Sequence, residues 1–267
     1  MRLDGRLVLK AYTYIVIALT YAPLILLALQ SVSESPLIGV LEGFTLKWYL
    51  QIPGDARARE ALLNSFFVAI LSAGISVVLA VLAAIAYRRV RTVTFLDLII
   101  YPPLILPDIV EAIALLIMLT SIKAPLGFYS VLIGHTAFNV AYAYIIVSPS
   151  LKGGLGVEEA ARTLGASPLQ VLFKITLPLA APGIVSALAL TFLLSFTDFI
   201  KTLFTTGPGF ETLPLMVWNR ARRPGLGEYS SYSYLASLAT IMIASSILVA
   251  LAYTIYLSRR GGSRAKH

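Results

Sequence analysis

The sequence predicts an all-α membrane protein, six transmembrane helices forming one bundle with both termini on the cytoplasmic side. Three observations carry that prediction. Hydrophobic residues make up 58% of the 267 and charged residues 13%, and the mean hydropathy of +0.85 lies far above that of an ordinary soluble domain. Six segments reach the roughly 20 mainly apolar residues that a helix needs to cross a bilayer. Thirteen of the 21 Lys and Arg fall on one side when the chain is threaded through those segments with its N-terminus inside.

The first segment, Ala11 to Leu29, follows Arg2, Arg6 and Lys10. The charge pattern is that of a signal peptide, but the run is of membrane length and lacks a small-x-small cleavage site, so a retained span is expected. Phe66 to Tyr87 is the second, closed by Arg88, Arg89 and Arg91. The third, Phe95 to Leu119, carries Pro102, Pro103 and Pro107; the fourth and fifth are Tyr129 to Val147 and Ile184 to Phe204. The sixth, Leu235 to Leu257, precedes Arg259, Arg260, Arg264 and Lys266, and Lys152, Arg162 and Lys174 complete the inner set. Outside lie a loop from Ser31 to Asn64 with "GFTLKWYLQIPGD" and a loop from Thr205 to Tyr234 with "TLPLMVWNRARRPGLGEY". A multi-pass cell-membrane protein follows.

Composition also excludes function classes. The formal charge of +8 is explained by topology, because no basic face interleaved with stacking aromatics signals nucleic acid. Without Cys there is no disulfide, thiolate nucleophile or thiolate metal site, and with two His no metal-ligand cluster is expected. Neither Gly-x-Ser-x-Gly nor His-Glu-x-x-His occurs, so no catalytic residue and no enzyme activity are expected.

The inner loop between the fourth and fifth segments is the most informative stretch: "EEAARTLGASPLQVLFKITLPLAAPG", Glu158 to Gly183. Glu158 and Glu159 suit the first turn of a short helix, and Gly165 suits the residue just past its end, where positive φ carries no Cβ penalty. Ser167 and Pro168 then read as N-cap and first residue of a second helix. Pro178 and Pro182 are expected to break or redirect the chain before the fifth span. The result is a helix-turn-helix with a small-residue surface at Ala160, Ala161 and Gly165. By pattern alone it is either a protein-docking surface or an amphipathic elbow on the inner leaflet.

At Glu159, Ala160, Ala161, Gly165, Ile175, Leu177 and Pro178 the stretch matches EAA-x3-G-x9-I-x-L-P, and it thereby resembles the EAA loop of ABC importer permeases. The resemblance extends from about Ala61, through "ALLNSFFVAIL" and "GHTAFN", to the last span, and it is to the type I (MetI-like) permeases. Within them, "GFTLKWY" and "LLSFTDFIKTLFTTGPGFETLPLMVW" look most like the second permease subunit of spermidine/putrescine importers, with overlap toward permeases for thiamine, ferric iron and aminophosphonates. One departure is "AFNVAYAY", where relatives usually place a Pro shortly after the Asn.

The resemblance implies residues 1–60 as cytoplasmic N-terminus, first helix and outer loop, residues 61–257 as the MetI-like domain with its coupling loop at 151–178, and 258–267 as a cytoplasmic tail. It implies three partners: an ABC ATPase dimer that holds ATP and Mg²⁺, a second permease chain that is either different or a copy of this one, and an extracytoplasmic solute-binding protein. No cofactor is expected in this chain. Glu159 would accept charge-assisted hydrogen bonds from the ATPase, Ala160 and Ala161 would pack on it, and Gly165 would set the angle between the two short helices. The aromatic and basic outer loop suits an interfacial helix or a docking surface for the binding protein.

Ionisable residues inside spans are the other signal, since each costs about 2.5–3.5 kcal/mol at mid-membrane. Asp108 and Glu111, three apart on the third span, are read as an acidic lining for a cationic solute, or as interhelical partners, or as acids at the outer mouth of a shorter span. Asp198 and Lys201, three apart on the fifth span, read as a mutually neutralising pair, with Asp198 also a candidate for the pathway. His135 reads as a satisfied interhelical donor. A self-sufficient secondary transporter is the rival class. It has no use for an ATPase-docking elbow, and the chain shows no inverted repeat.

Overall fold

The structure, a computed structural model, describes residues 5–89, 98–223 and 229–264, and the regular elements among them are all helical. Arg2, Arg91 and Lys266 of the inner basic set, residues 95–97 of the third predicted span and residues 224–228 of the second outer loop lie outside the described residues. In chain order the α-helices are α1 (Gly5–Ser31), α2 (Lys47–Gln51), α3 (Ala56–Arg89), α4 (Pro102–Ile105), α5 (Asp108–Ser121), α6 (Phe128–Lys152), α7 (Leu155–Thr163), α8 (Pro168–Val171), α9 (Leu177–Phe196), α10 (Ile200–Thr205), α11 (Leu213–Ala221) and α12 (Tyr232–Arg264). Five stretches among the described residues are long and apolar enough to cross a membrane: Leu9–Ser31, Ala56–Tyr87, Phe128–Lys152, Pro168–Phe196 and Tyr232–Ser258.

The third predicted span is the exception. Its described part is broken, with Leu106 and Pro107 extended at ψ 143° and 137° between α4 and α5. Pro107 is the cause: it lacks an N–H and drives the residue before it out of the helical region. The 14 residues of α5 span about 21 Å at 1.5 Å per residue, short of a hydrocarbon core of about 30 Å. The fifth span also differs from expectation. Pro178 and Pro182 do not break it; Pro178 sits just past a π turn that carries the helical backbone on from α8, and Pro182 lies inside a helix that runs on. A π turn at Leu172–Thr176, closed by Leu177 N–H to Leu172 O, joins α8 to α9. The helix then stops at Phe196, eight residues before the predicted end at Phe204, and unwinds around Asp198 before α10. The α6 helix continues unbroken through "AFNVAYAY".

The chain forms two compact units. One comprises residues 1–59 with 216–244. Along α1 the large side chains, Tyr14, Leu19 and Ile25 among them, stand exposed, as a helix surrounded by hydrocarbon requires. Gln30 organises the turn that follows, donating to Leu37 O (2.9 Å) and Ser233 Oγ (2.7 Å) and accepting from Gly39 N–H (3.1 Å). Trp48 is buried, its Nε1 donating to Ser33 O at 2.7 Å. Asp55 is buried too, and it accepts from both terminal nitrogens of Arg220, from the Tyr234 hydroxyl (2.7 Å) and from the Ala58 N–H (3.1 Å). Burial pushes its carboxyl up, but those donors and the guanidinium charge outweigh burial and hold it below the usual carboxylate range.

The other unit comprises residues 60–215 with 245–267. Its core interleaves Val77, Ala80 and Ala84 of α3 with Ala141, Tyr144 and Val147 of α6 and Ala180 and Ala187 of α9. Small residues let helices approach closely, as in membrane bundles generally. A Cβ on Gly183 would fall 2.1 Å from Ser150 Oγ, so only Gly fits the α6–α9 crossing. Asn139 ties three helices together by donating to Ser72 Oγ (3.3 Å) and Thr191 O (3.2 Å).

Candidate functional site

The inner loop folds as the sequence punctuates it. At the end of α7, Gly165 takes φ +88°, and both bonds of a Schellman terminus form, Ala166 N–H to Ala161 O (3.0 Å) and Gly165 N–H to Arg162 O (2.9 Å). Ser167 then caps α8 reciprocally: its Oγ accepts from Gln170 N–H (3.4 Å), and Gln170 Oε1 accepts from Ser167 N–H (2.9 Å). Pro168 is the first residue of α8.

Of the two acids at the loop's start, only Glu159 is exposed. Glu158, in the first turn of α7, turns inward and accepts a 2.9 Å hydrogen bond from Thr176 Oγ1. That bond joins the first arm of the elbow to the π turn. Ala160, Gly165 and Pro178 are exposed, while Ala161, Ile175 and Leu177 are half-buried. The last two belong to the π turn and the start of α9, so the motif divides into an outer surface and a base. Leu164 (88% exposed), Leu169 and Phe173 also stand out from this elbow. In the sequence they are legible only as large apolar side chains within an otherwise polar, loop-forming stretch. A cavity of about 410 Å³ lies between the arms, lined by Glu158, Glu159, Arg162, Leu169 and Leu172 among others. The elbow can thus offer a carboxylate and apolar knobs at a fixed spacing.

The second candidate site gathers the charges that the sequence placed on the third and fifth predicted spans. Asp108 and Glu111 lie in the first turn of α5, directly after the proline break, where acids suit the helix dipole. Both face Lys201 of α10, whose Nζ lies 3.0 Å from Asp108 Oδ1, 3.4 Å from Asp198 Oδ2 and 4.0 Å from Glu111 Oε2. Asp198 is not within a helix; it occupies the break before α10, and its Oδ1 accepts from Thr202 N–H at 3.1 Å. Lys201 therefore has three acidic neighbours rather than one, two of them from a separate helix. His135 is buried with both ring nitrogens engaged, Nδ1 with Ser195 Oγ (2.7 Å) and Nε2 with Thr202 Oγ1 (3.0 Å), and Nε2 also lies 3.4 Å from Asp198 Oδ1.

All of these ionisable groups but Glu111 border a cavity of about 400 Å³, lined by Asp108, Asp198, Lys201, His135, Phe138 and Tyr142 among others. Three acidic side chains face one ammonium. The Lys201 ammonium also lies 5.5 Å from the centre of the Phe138 ring. Among the described residues, no three His, Cys, Asp or Glu side chains are grouped as a metal site requires.

Comparison with known proteins adds three findings. The family described as "Binding-protein-dependent transport system inner membrane component" matches residues 76–261. The spermidine/putrescine transport system permease protein PotC of Escherichia coli K12 is 33% identical over 251 residues, 93% of each chain, and the putrescine transport system permease protein PotI of the same organism is 32% identical over 212 residues, 76% of this chain and 75% of that one. In fold, the chain is similar to one of a bacterial alginate ABC transporter solved in complex with an alginate pentasaccharide-bound periplasmic protein, with TM-score 0.71, 15% identity, and coverage of 96% of this chain and 95% of that one.

Proposed function

This chain belongs to the family of binding-protein-dependent transport system inner membrane components, as a permease subunit of an ABC importer in the plasma membrane, and on that footing we propose that its solute is a polyamine. The observation that carries the solute reading is similarity to a spermidine/putrescine permease along nearly the whole chain. The surplus of carboxylates beside the 400 Å³ cavity supports it, because a flexible polycation is held best by dispersed negative charge. Asp108, Glu111 and Asp198 line the path on this reading.

The chain works with a second permease chain, an ATPase dimer that supplies ATP and Mg²⁺, and an extracytoplasmic binding protein that delivers the solute. Both termini and the elbow face the cytoplasm, following the distribution of Lys and Arg. ATP-driven closure of the ATPase pair moves the elbow as a rigid body, and the helices that continue from it carry the motion to the path. Glu159, Ala160, Ala161 and Gly165 form the contact, and Ile175, Leu177 and Pro178 form its base. The exposed Leu164, Leu169 and Phe173 support this, since apolar knobs beside an exposed carboxylate suit a protein cleft.

Uptake by the purified importer in proteoliposomes tests both parts. Labelled spermidine or putrescine is expected to enter with ATP and to resist competition by thiamine, ferric iron and aminophosphonates; uptake of one of those in its place overturns the solute. Gly165→Asp is expected to leave the complex inserted and assembled while uptake is lost. Normal uptake by a well-expressed Gly165→Asp complex overturns the coupling role.

A further inference from the structure

A lysine that served only to neutralise a buried acid would need one carboxylate. Lys201 has three, and they are unequal. Asp108 is 56% exposed and water satisfies it in any case, whereas Asp198 and Glu111 are 8% and 2% exposed. Glu111 is the least satisfied: Oε2 lies 4.0 Å from Nζ, beyond hydrogen-bonding range, and the buried Oε1 has no hydrogen-bond partner among the described residues. A buried carboxylate in that position needs a donor that Lys201 only half supplies. The lysine stem is flexible, its ammonium has three donors, and the cavity lies directly beside it. The head group can leave without any movement of the backbone.

We propose that Lys201 is a tethered substitute for an ammonium group of the solute, which occupies the carboxylates of Asp108, Glu111 and Asp198 at rest and gives them up when a primary amine enters the cavity. This role rests on the polyamine reading above. The ligand class is an alkylammonium, because the site that holds Lys201 already carries what a primary amine on a methylene chain requires: carboxylates for the three N–H donors and the Phe138 ring for the charge. Lys201 competes with the solute, so the site holds it weakly and releases it. It is a specificity-determining residue for affinity and does not itself carry the solute.

The test is chemical rescue in the importer complex purified through a tag on this chain. Lys201→Ala removes the segment from Cγ to Nζ, which propylammonium replaces. Thermal unfolding is read with propylammonium, with putrescine, with neutral 1-propanol and with NaCl at equal ionic strength. In Lys201→Ala, propylammonium and putrescine well above their Kd are expected to raise Tm by about 4 °C or more. Neither 1-propanol nor NaCl should do so, and in the wild type, where Lys201 competes for the same carboxylates, the two amines should raise Tm by less than in the variant. Adding Glu111→Gln to Lys201→Ala is expected to reduce the rescue. Equal responses in wild type and variant, or rescue by NaCl alone, overturn the role. If Lys201→Ala does not assemble, propylammonium present during extraction must restore assembly, and failure to do so overturns it as well. Polyamine uptake by the wild type is a separate readout: a wild type that does not transport polyamines, combined with specific rescue, refutes the solute and leaves the tethered-cation role standing.

Discussion

Asp55 and Asp198 are both buried carboxylates within reach of a cation, and they are treated differently. Asp55 meets one guanidinium through both oxygens and takes two further donors, Tyr234 and the Ala58 amide, so charge and hydrogen bonds both balance. Asp198 shares one ammonium with two other acids beside a cavity. A guanidinium fork fixes geometry, whereas an ammonium on a four-carbon stem is replaceable. The difference separates a charge group that holds the fold from one arranged for exchange.

The largest expected effect breaks the balanced group. Asp55→Ala strands Arg220 among partly buried groups and should cost about 3–5 kcal/mol of stability, seen as a large drop in the unfolding midpoint. The double variant Asp55→Leu with Arg220→Met should recover most of that loss, and a double variant no better than Asp55→Ala contradicts the assignment. Acidification should produce a smaller effect at the same place. In the fold the Asp55 carboxyl sits below its ordinary value of 3.8, so the folded protein binds fewer protons there than the unfolded chain. Its contribution is complete above the ordinary value and is lost as pH falls through the lower folded value. Between about pH 6 and pH 2.5, wild-type Tm should fall more steeply than that of Asp55→Asn, and parallel curves refute the claim. The smallest effect belongs to Asp108→Asn, since a pair with one largely exposed partner contributes about 0–1 kcal/mol. A loss above 2 kcal/mol would make that carboxylate structural.

The legible parts of this chain are those determined by neighbours in sequence. The helical stretches follow from apolar runs, and Gly165, Ser167 and Pro168 announce a turn that needs no distant contact to form. The Lys201 cluster was half legible. Asp198 and Lys201 sit three apart, but Asp108 lies 93 residues from Lys201, and no local periodicity reports which helices will meet. Asp55 and Arg220, 165 residues apart, were invisible for the same reason. The prolines misled in both directions. Pro107 ended a helix that hydropathy alone would have continued, because hydropathy does not register a missing N–H. Pro178 did not interrupt one, because the helical backbone runs through it by way of the π turn just before it.

The π turn at Leu172–Thr176 bears on the aim of the elbow. A π turn holds about one residue more than an α turn, and each residue of an α-helix rotates the chain by about 100°. The segment before the turn is therefore clocked by roughly that angle relative to α9, compared with a straight continuation. A chain shorter by one residue between Val171 and Leu177 would still be helical there, yet it would present a different side of the elbow to whatever docks on it.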